Sequence, residues 1–131
     1  VVPGAGEAVR RLADDGYRLA VASSSNRELI DAVLRRLELA ALFEATVSSE
    51  EVGRGKPAPD VYLEAARRLD VPASRCAAVE DSASGIRAAR EAGMRVIAYP
   101  NRHYPPAADV LASADVVIDS LDALGSTTVA G

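Results

Sequence analysis

The feature that most constrains the fold is a regular alternation of short apolar runs with segments of helical periodicity. The apolar runs lie at 19–22, 77–79, 96–99 and 116–118, with a weaker one at 45–48. Strands joined by single helices favour right-handed crossovers and a mainly parallel sheet that is covered by helices on both faces. Runs that are continuously apolar are typical of strands buried on both sides. The sequence therefore predicts an α/β fold.

The second predicted helix is the best defined of the intervening segments. Asn26 is a good N-cap, because its side-chain oxygen can accept a hydrogen bond from a free amide of the first turn. The apolar residues that follow recur at helical spacing and predict a buried stripe. This stripe consists of Leu29, Ile30, Val33, Leu34 and Leu37.

Three further helices are predicted around it. The first carries Leu12 on its inner side and ends before Gly16, and another starts at Pro59 or Asp60. The last runs over about 84–92 and stops at Gly93. Glycine at these positions is typical of a helix C-terminus.

Length, charge and cysteine content exclude several classes of protein. The chain has 131 residues, which fits a single domain over 1–131, and a formal net charge of −4. A negative charge argues against nucleic acid or an anionic membrane surface as the main partner. The one cysteine rules out an internal disulfide framework, and no apolar run is long enough to span a bilayer. We therefore expect a cytoplasmic protein, and the sequence leaves its oligomeric state open.

The basic residues are unevenly chosen. Fourteen of the fifteen are arginine and only one, Lys56, is lysine. It lies between glycine and proline in the loop 55–60. Lysine is a compact ammonium that acts as a point charge, whereas arginine is a planar fork, so a site at this loop could require an ammonium. Composition bias is the alternative explanation.

Polar groups follow three of the predicted strands. Residues 23–26 follow the first strand, Glu80 and Asp81 end another, and Lys56 lies in the loop beyond the weak strand. In an open parallel sheet, ligands bind at the carboxyl ends of the strands, so these groups should converge on one edge. A hydroxyl, an ammonium and two carboxylates beside helix N-termini are what a magnesium-assisted phosphate site needs.

Each of these clusters also has a purely structural interpretation. Residues 23–26 could be only a capping turn, and 80–82 could be a solvated turn before a helix. Pro57 and Pro59 could simply stiffen their loop. Two adjacent carboxylates after a buried strand repel each other, however, and a bound cation would relieve that repulsion.

The ordered set of segments 19–23, 55–60 and 79–85 resembles motifs II, III and IV of the haloacid dehalogenase (HAD) superfamily. The last segment and its continuation through Met94 are similar to the subgroup that holds beta-phosphoglucomutase and phosphoglycolate phosphatase. The resemblance covers nearly the whole chain, from Pro3 to Leu124. It implies a three-layer Rossmannoid sheet with helices on both faces. It also implies phosphoryl transfer on a small phosphorylated metabolite, by a phosphatase or a phosphomutase.

The resemblance also implies roles for residues of the first and second motif segments. Ser23 would hydrogen-bond the transferring phosphoryl group, and Ser24 would lend a backbone N–H. Lys56 would stabilise the phosphoryl group and the charge of the nucleophile. Ser25 and Asn26 are expected to face the substrate.

The acidic pair would provide the metal site. By the same resemblance, Asp81 together with Glu80 would bind Mg²⁺ directly or through water. Haloacid dehalogenases proper use no metal and do not need this pair. Glu80 and Asp81 therefore favour phosphoryl transfer over cleavage of a carbon–halogen bond.

One family motif is not found in the chain. The family's first motif is a strand followed by Asp-x-Asp, whose first aspartate forms an aspartyl-phosphate and whose second is the acid/base. Asp14 and Asp15 end a helix, and Asp119 with Asp122 has a spacing one residue too long. We interpret the chain as the C-terminal part of a larger enzyme, without its first strand, nucleophile and cap domain, and expect it to be inactive alone.

The missing strand is central in the family, between the strand before Ser23 and the strand before Asp81. Its loss would leave a gap with unpaired backbone groups, which is a serious cost, so we expect that either another segment fills the gap or the two flanking strands close up.

Two other functions stay open from the sequence. One is a non-catalytic domain that binds phosphate or a partner, and the other is a subunit completed by another chain. A receiver-type signalling domain has a different order of groups, with the acidic cluster first and the lysine last, and is set aside.

Overall fold

The strands are parallel and form two separate sheets. The computed structural model describes residues 4–100 and 103–130 of the chain. The strands are β1 (Ala20–Ser23), β2 (Ala45–Ser48), β3 (Ala77–Glu80), β4 (Arg95–Ala98) and β5 (Val116–Val117). One sheet has the order β1-β2 and the other the order β3-β4-β5. The predicted α/β fold with a parallel sheet is confirmed.

Helices connect the strands. They are α1 (Ala5–Asp14), α2 (Arg27–Arg36), α3 (Asp60–Leu69), α4 (Ala83–Glu91), α5 (Ala108–Ala112) and α6 (Ser126–Ala130). Short 3-10 turns lie at Ala40–Leu42, Ser49–Glu51, Ala73–Arg75 and Leu121–Ala123. In the part of the chain that the structure describes, no helix is long and apolar enough to cross a membrane.

Side-chain caps and glycines mark the helix boundaries, and among them Asn26, Gly16 and Gly93 were predicted. The Asn26 side chain accepts a hydrogen bond from the Leu29 amide at 2.8 Å, which caps α2. Ser82 accepts one from the Gly85 amide at 3.2 Å, which caps α4. Gly16 and Gly93 follow α1 and α4 with φ of 91° and 82°, a conformation that glycine adopts without a steric penalty.

Helices cover both faces of the sheets. Val96 and Ala98 of β4 pack with residues of α3 and α4, whereas Ile97 packs with α1 and the turn at Leu121–Ala123. Since successive strand residues point to opposite faces, these two clusters lie on opposite sides. A third cluster joins α2 to Val21 of β1. The arrangement is therefore three-layered, as expected.

The predicted buried stripe of α2 is wrong in two positions. Ile30 and Leu34 are buried, but Leu29 and Val33 are 50% and 44% exposed. Val79 of β3, expected to be covered on both sides, is 40% exposed. The reason is that no described element covers this flank of α2 or this part of β3.

The described residues leave a gap between β1 and β3, so the prediction that it is filled or closed is wrong. The described residues form no ladder between β1 and β3, so each strand keeps one free edge. Leu19 O accepts the Glu44 amide and therefore faces β2. Because carbonyls alternate along a strand, Ala22 O points to the free edge. Among the residues described, no segment fills the gap and the two strands do not pair.

The outer edge of β2 is blocked by arginine. Thr46 O accepts hydrogen bonds from Arg27 Nη2 at 2.6 Å and Arg68 Nη1 at 2.8 Å. Both guanidinium groups also contact the carboxylate of Glu51. Charged side chains on an edge strand disfavour pairing with another chain. This edge is therefore protected, whereas the free edge of β1 is not protected in this way.

Glu51 makes stability depend on pH. The bond from the Ser48 amide, followed by those from Arg68 and Arg27, lowers the pKa of Glu51 from 4.5 to about 2. A lowered pKa stabilises the fold above the unfolded-state value, and this stabilisation is lost as the pH falls towards 2. We predict that between about pH 5 and pH 3 the wild type loses more unfolding free energy than Glu51→Gln. Urea unfolding across this range checks it, with Glu91→Gln as control, and equal losses in wild type and Glu51→Gln would contradict it.

Arg11 ties the first helix to the last part of the chain. Its guanidinium donates to Leu121 O at 2.9 Å and to Leu124 O at 2.8 and 3.0 Å. We predict that Arg11→Ala lowers the free energy of unfolding by about 2 kcal/mol, because three hydrogen bonds from a charged group to backbone carbonyls are lost. Urea denaturation measures the change. The exposed neighbour provides a matched control, Arg10→Ala, and the same midpoint for both variants would contradict the prediction.

Candidate active site

Lys56 connects the ends of the two sheets. Its ammonium donates to Glu80 Oε2 at the end of β3, at 2.5 Å, and to Ala22 O on the free edge of β1, at 3.3 Å. The side chains of Lys56 and Glu80 are only 10% and 7% exposed. The peptide bond between Lys56 and Pro57 is cis. The structure thus brings the loop lysine, the strand before Ser23 and the first acid together at one edge.

Tyr62 completes this contact from α3. Its hydroxyl donates to the same oxygen, Glu80 Oε2, and the Lys56 ammonium lies 5.0 Å from the centre of its ring. The side chain is buried, with 7% of its surface exposed. Burial raises the pKa of Tyr62, and the charges of Glu80 and Asp81 raise it further. No role for Tyr62 is predicted from the sequence, although this residue shares helical spacing with the inward Ala66 and Leu69.

Gly85 makes room for the Glu80 carboxylate at the start of α4. A Cβ atom at this position would lie 1.9 Å from Glu80 Oε1 and 2.1 Å from its carboxyl carbon. No side chain fits at that distance, so the first turn of α4 requires glycine for this close approach. The sequence carries the signal as a glycine inside a helix, where alanine would otherwise be favoured.

The residues after β1 form a hydrogen-bonded turn. Ser23 Oγ accepts the Ser25 amide at 3.0 Å. Ser25 O accepts Ser48 Oγ at 2.7 Å, and Ser24 O accepts Ser49 Oγ at 3.1 Å. The structural interpretation of Asn26 as a helix cap is therefore correct, and the phosphate-binding roles of 23–26 stay predictions.

Asp81 follows β3 directly and is exposed. Its charge is close enough to contribute to the raised pKa of Tyr62. The described residues contain no cluster of three or more histidine, cysteine or acidic side chains placed to hold a metal. Magnesium is nevertheless commonly bound through one or two carboxylates together with waters and substrate oxygens. The exposed carboxylate of Asp81 is a ligand of this type. Glu80 Oε2 is already used by Lys56 and Tyr62.

Comparison with known proteins identifies the family. The family model for haloacid dehalogenase-like hydrolases matches residues 1–93. The chain belongs to this family. Within it, the relatives confirm the expected subgroup around beta-phosphoglucomutase and phosphoglycolate phosphatase. The observed fold agrees with the HAD-like Rossmannoid fold of its structural neighbours.

Individual relatives cover most of this chain. It is 40% identical over 121 residues to the bifunctional riboflavin kinase/FMN phosphatase of Arabidopsis thaliana, covering 92% of this chain and 31% of that protein. It is 39% identical over 94 residues to the beta-phosphoglucomutase of Bacillus subtilis, covering 72% of this chain and 41% of that protein. A crystal structure of CbbY from Rhodobacter sphaeroides in complex with xylulose-(1,5)bisphosphate matches with a TM-score of 0.82 and 36% identity. That match covers 94% of this HAD-family chain and 55% of CbbY.

The fit between Gly85 and Glu80 can be tested by one added methyl group. Alanine stabilises most helix positions relative to glycine by up to about 1 kcal/mol. We predict the opposite sign for Gly85→Ala, a loss of about 1–3 kcal/mol in unfolding free energy, because the methyl group must displace the Glu80 carboxylate. Urea unfolding measures it. Ser84→Ala, at the exposed neighbour, should change stability little, and a stabilised Gly85→Ala would contradict the account.

Proposed function

We propose that this HAD-family chain carries part of the active site of a Mg²⁺-dependent phosphoryl-transfer hydrolase. The observation that supports this most strongly is the position of Lys56 against Glu80 and the end of β1. A buried ammonium at the carboxyl edge of a parallel sheet is placed to offset the charge of a phosphoryl group.

Lys56 and the turn at 23–26 would bind the phosphoryl group together. Lys56 uses two of its three N–H groups on Glu80 and Ala22, which leaves one for a phosphoryl oxygen or the nucleophile. Ser23 would donate its hydroxyl to a phosphoryl oxygen, and Ser24 a backbone N–H. Ser25 and Asn26 would face the substrate. The Asn26 side chain is committed to capping α2, so its contribution would be to orient this turn.

The magnesium ion would be held by Asp81. Glu80 would contribute through water, since its Oε2 atom faces Lys56 and Tyr62. When bound, the ion would supply positive charge next to the phosphoryl oxygens. The role of Lys56 is complementary, because it adds a second positive charge that is fixed by the protein.

The substrate class follows from the relatives in outline. The CbbY structure contains a sugar bisphosphate, and other relatives are a sugar-phosphate mutase and a flavin nucleotide phosphatase. We therefore propose a small phosphorylated metabolite as substrate. The cytoplasm is proposed as the location on a separate ground, the single cysteine, which suits a reducing compartment. The chain spans 31% and 57% of the first two curated relatives, so the activity of any whole protein belongs to this proposal.

The nucleophile is proposed to come from another segment. No strand in the described residues ends in Asp-x-Asp, and β1 and β3 each leave an edge unpaired. The same observation favours the second candidate, a subunit completed by a different chain. A strand that paired with both edges would place its last residues beside Lys56 and Asp81.

Phosphatase activity tests the proposal. We predict no Mg²⁺-dependent hydrolysis of p-nitrophenyl phosphate by the 131 residues alone. In a protein where they accompany an apolar strand ending in Asp-x-Asp, we predict hydrolysis that falls by about 10²–10³-fold in Lys56→Ala, because charge stabilisation in the transition state is lost.

The control for this experiment is Arg75→Ala, at an exposed basic residue near the amino end of β3, which should keep the rate. Hydrolysis by the 131 residues alone that is abolished by Lys56→Ala would contradict the need for a further strand. An active completed protein that is insensitive to Lys56→Ala would contradict the role of the lysine.

A further inference from the structure

The hydroxyl of Tyr62 has no part in the proposed function, yet it lies inside the charged cluster. The ring is buried among the residues that α3 packs against the sheets. A phenylalanine would fill the same space without a polar atom. Burying a hydroxyl is unfavourable unless it is hydrogen-bonded. The contact that compensates for it here is the bond to Glu80 Oε2.

The Glu80 carboxylate is held on several sides at once. Oε2 accepts from both Tyr62 and Lys56, and Oε1 lies against the Cα atom of Gly85. A carboxylate bound only by Lys56 could rotate about its terminal torsion, which has a broad and roughly two-fold preference. The second donor restricts that rotation, because it fixes the plane of the carboxylate relative to the ammonium.

The ring of Tyr62 also contacts the lysine directly. The ammonium lies 5.0 Å from the ring centre, within the range of a cation–π interaction. Tyr62 therefore interacts with Lys56 in two ways. Its ring contacts the ammonium directly, and its hydroxyl binds the Glu80 carboxylate to which the ammonium donates. A phenylalanine would keep the contact between the ring and the ammonium and lose the hydrogen bond to Glu80.

We propose that Tyr62 is a positioning residue for Lys56: its hydroxyl fixes the Glu80 carboxylate in the orientation that holds the ammonium at the free edge of β1. The position of the Lys56 ammonium does not depend on the proposed function. Only the effect of that position on phosphoryl transfer rests on the proposed function. The test below needs no activity, so a failure of this proposal and a failure of the proposed function can be told apart.

The single lysine provides the readout. Protein labelled with ¹³C at the lysine ε carbon has one side-chain signal, that of Lys56. We expect Tyr62→Phe to move this signal towards its position in Glu80→Gln, although the ring is retained. We expect Glu80→Gln to show no further change when Tyr62→Phe is added, because both variants break the same link. Tyr17→Phe, which removes a hydroxyl in the cluster around α1, is the matched control and should leave the signal unchanged.

Two results would overturn the proposal. One is a Lys56 signal in Tyr62→Phe that coincides with the wild type, which would mean that the tyrosine only fills space. The other comes from the wild-type protein and does not require any variant to fold. A slowly exchanging Tyr62 hydroxyl proton, with a nuclear Overhauser effect to the Glu80 side chain, is expected, and its absence would overturn the proposal.

Discussion

The ion pair between Lys56 and Glu80 is the interaction on which the rest of the site depends. It joins a loop after one sheet to the last residue of a strand in the other, and both side chains are almost fully buried. Removing one partner of a buried pair costs about 3–5 kcal/mol, because the remaining charge is left uncompensated. The pair is supported by the Tyr62 hydroxyl, by the carbonyl oxygen of Ala22 and by Gly85, whose lack of a side chain leaves room for the carboxylate.

The free edge of β1 explains how the lysine reaches this strand. It leaves Ala22 O available to accept a hydrogen bond from the Lys56 ammonium. The outer edge of β2, in contrast, is covered by Arg27 and Arg68. β1 and β3 therefore each offer an edge to a further strand, whereas the outer edge of β2 does not.

Much of the fold could be predicted because it depends on local signals. Apolar runs gave the strands, while Asn26, Gly16 and Gly93 gave the helix ends, since caps and left-handed positions restrict the residue type. Lys56 was expected to lie near the ends of β1 and β3, because the carboxyl ends of parallel strands share one edge of a sheet. The family resemblance was needed for the roles of the site residues, and those roles stay proposals.

Other features could not be predicted because they depend on packing. The exposure of Leu29 and Val33 follows from which elements cover α2, and periodicity does not contain that information. The contacts of Glu80 with Tyr62 and Gly85 depend on how α3 and α4 approach one carboxylate. Glu80 and Asp81 share one predicted role, whereas the structure turns Glu80 towards the lysine and leaves Asp81 exposed.

The most direct test of the central claim is a titration of the ¹³C-labelled protein with inorganic phosphate, followed at the Lys56 signal with and without Mg²⁺. The account predicts a saturable shift with phosphate that strengthens when Mg²⁺ is present, and loss of the Mg²⁺ effect in Asp81→Asn. A Lys56 signal that responds to phosphate no more than to an equal concentration of chloride would contradict it.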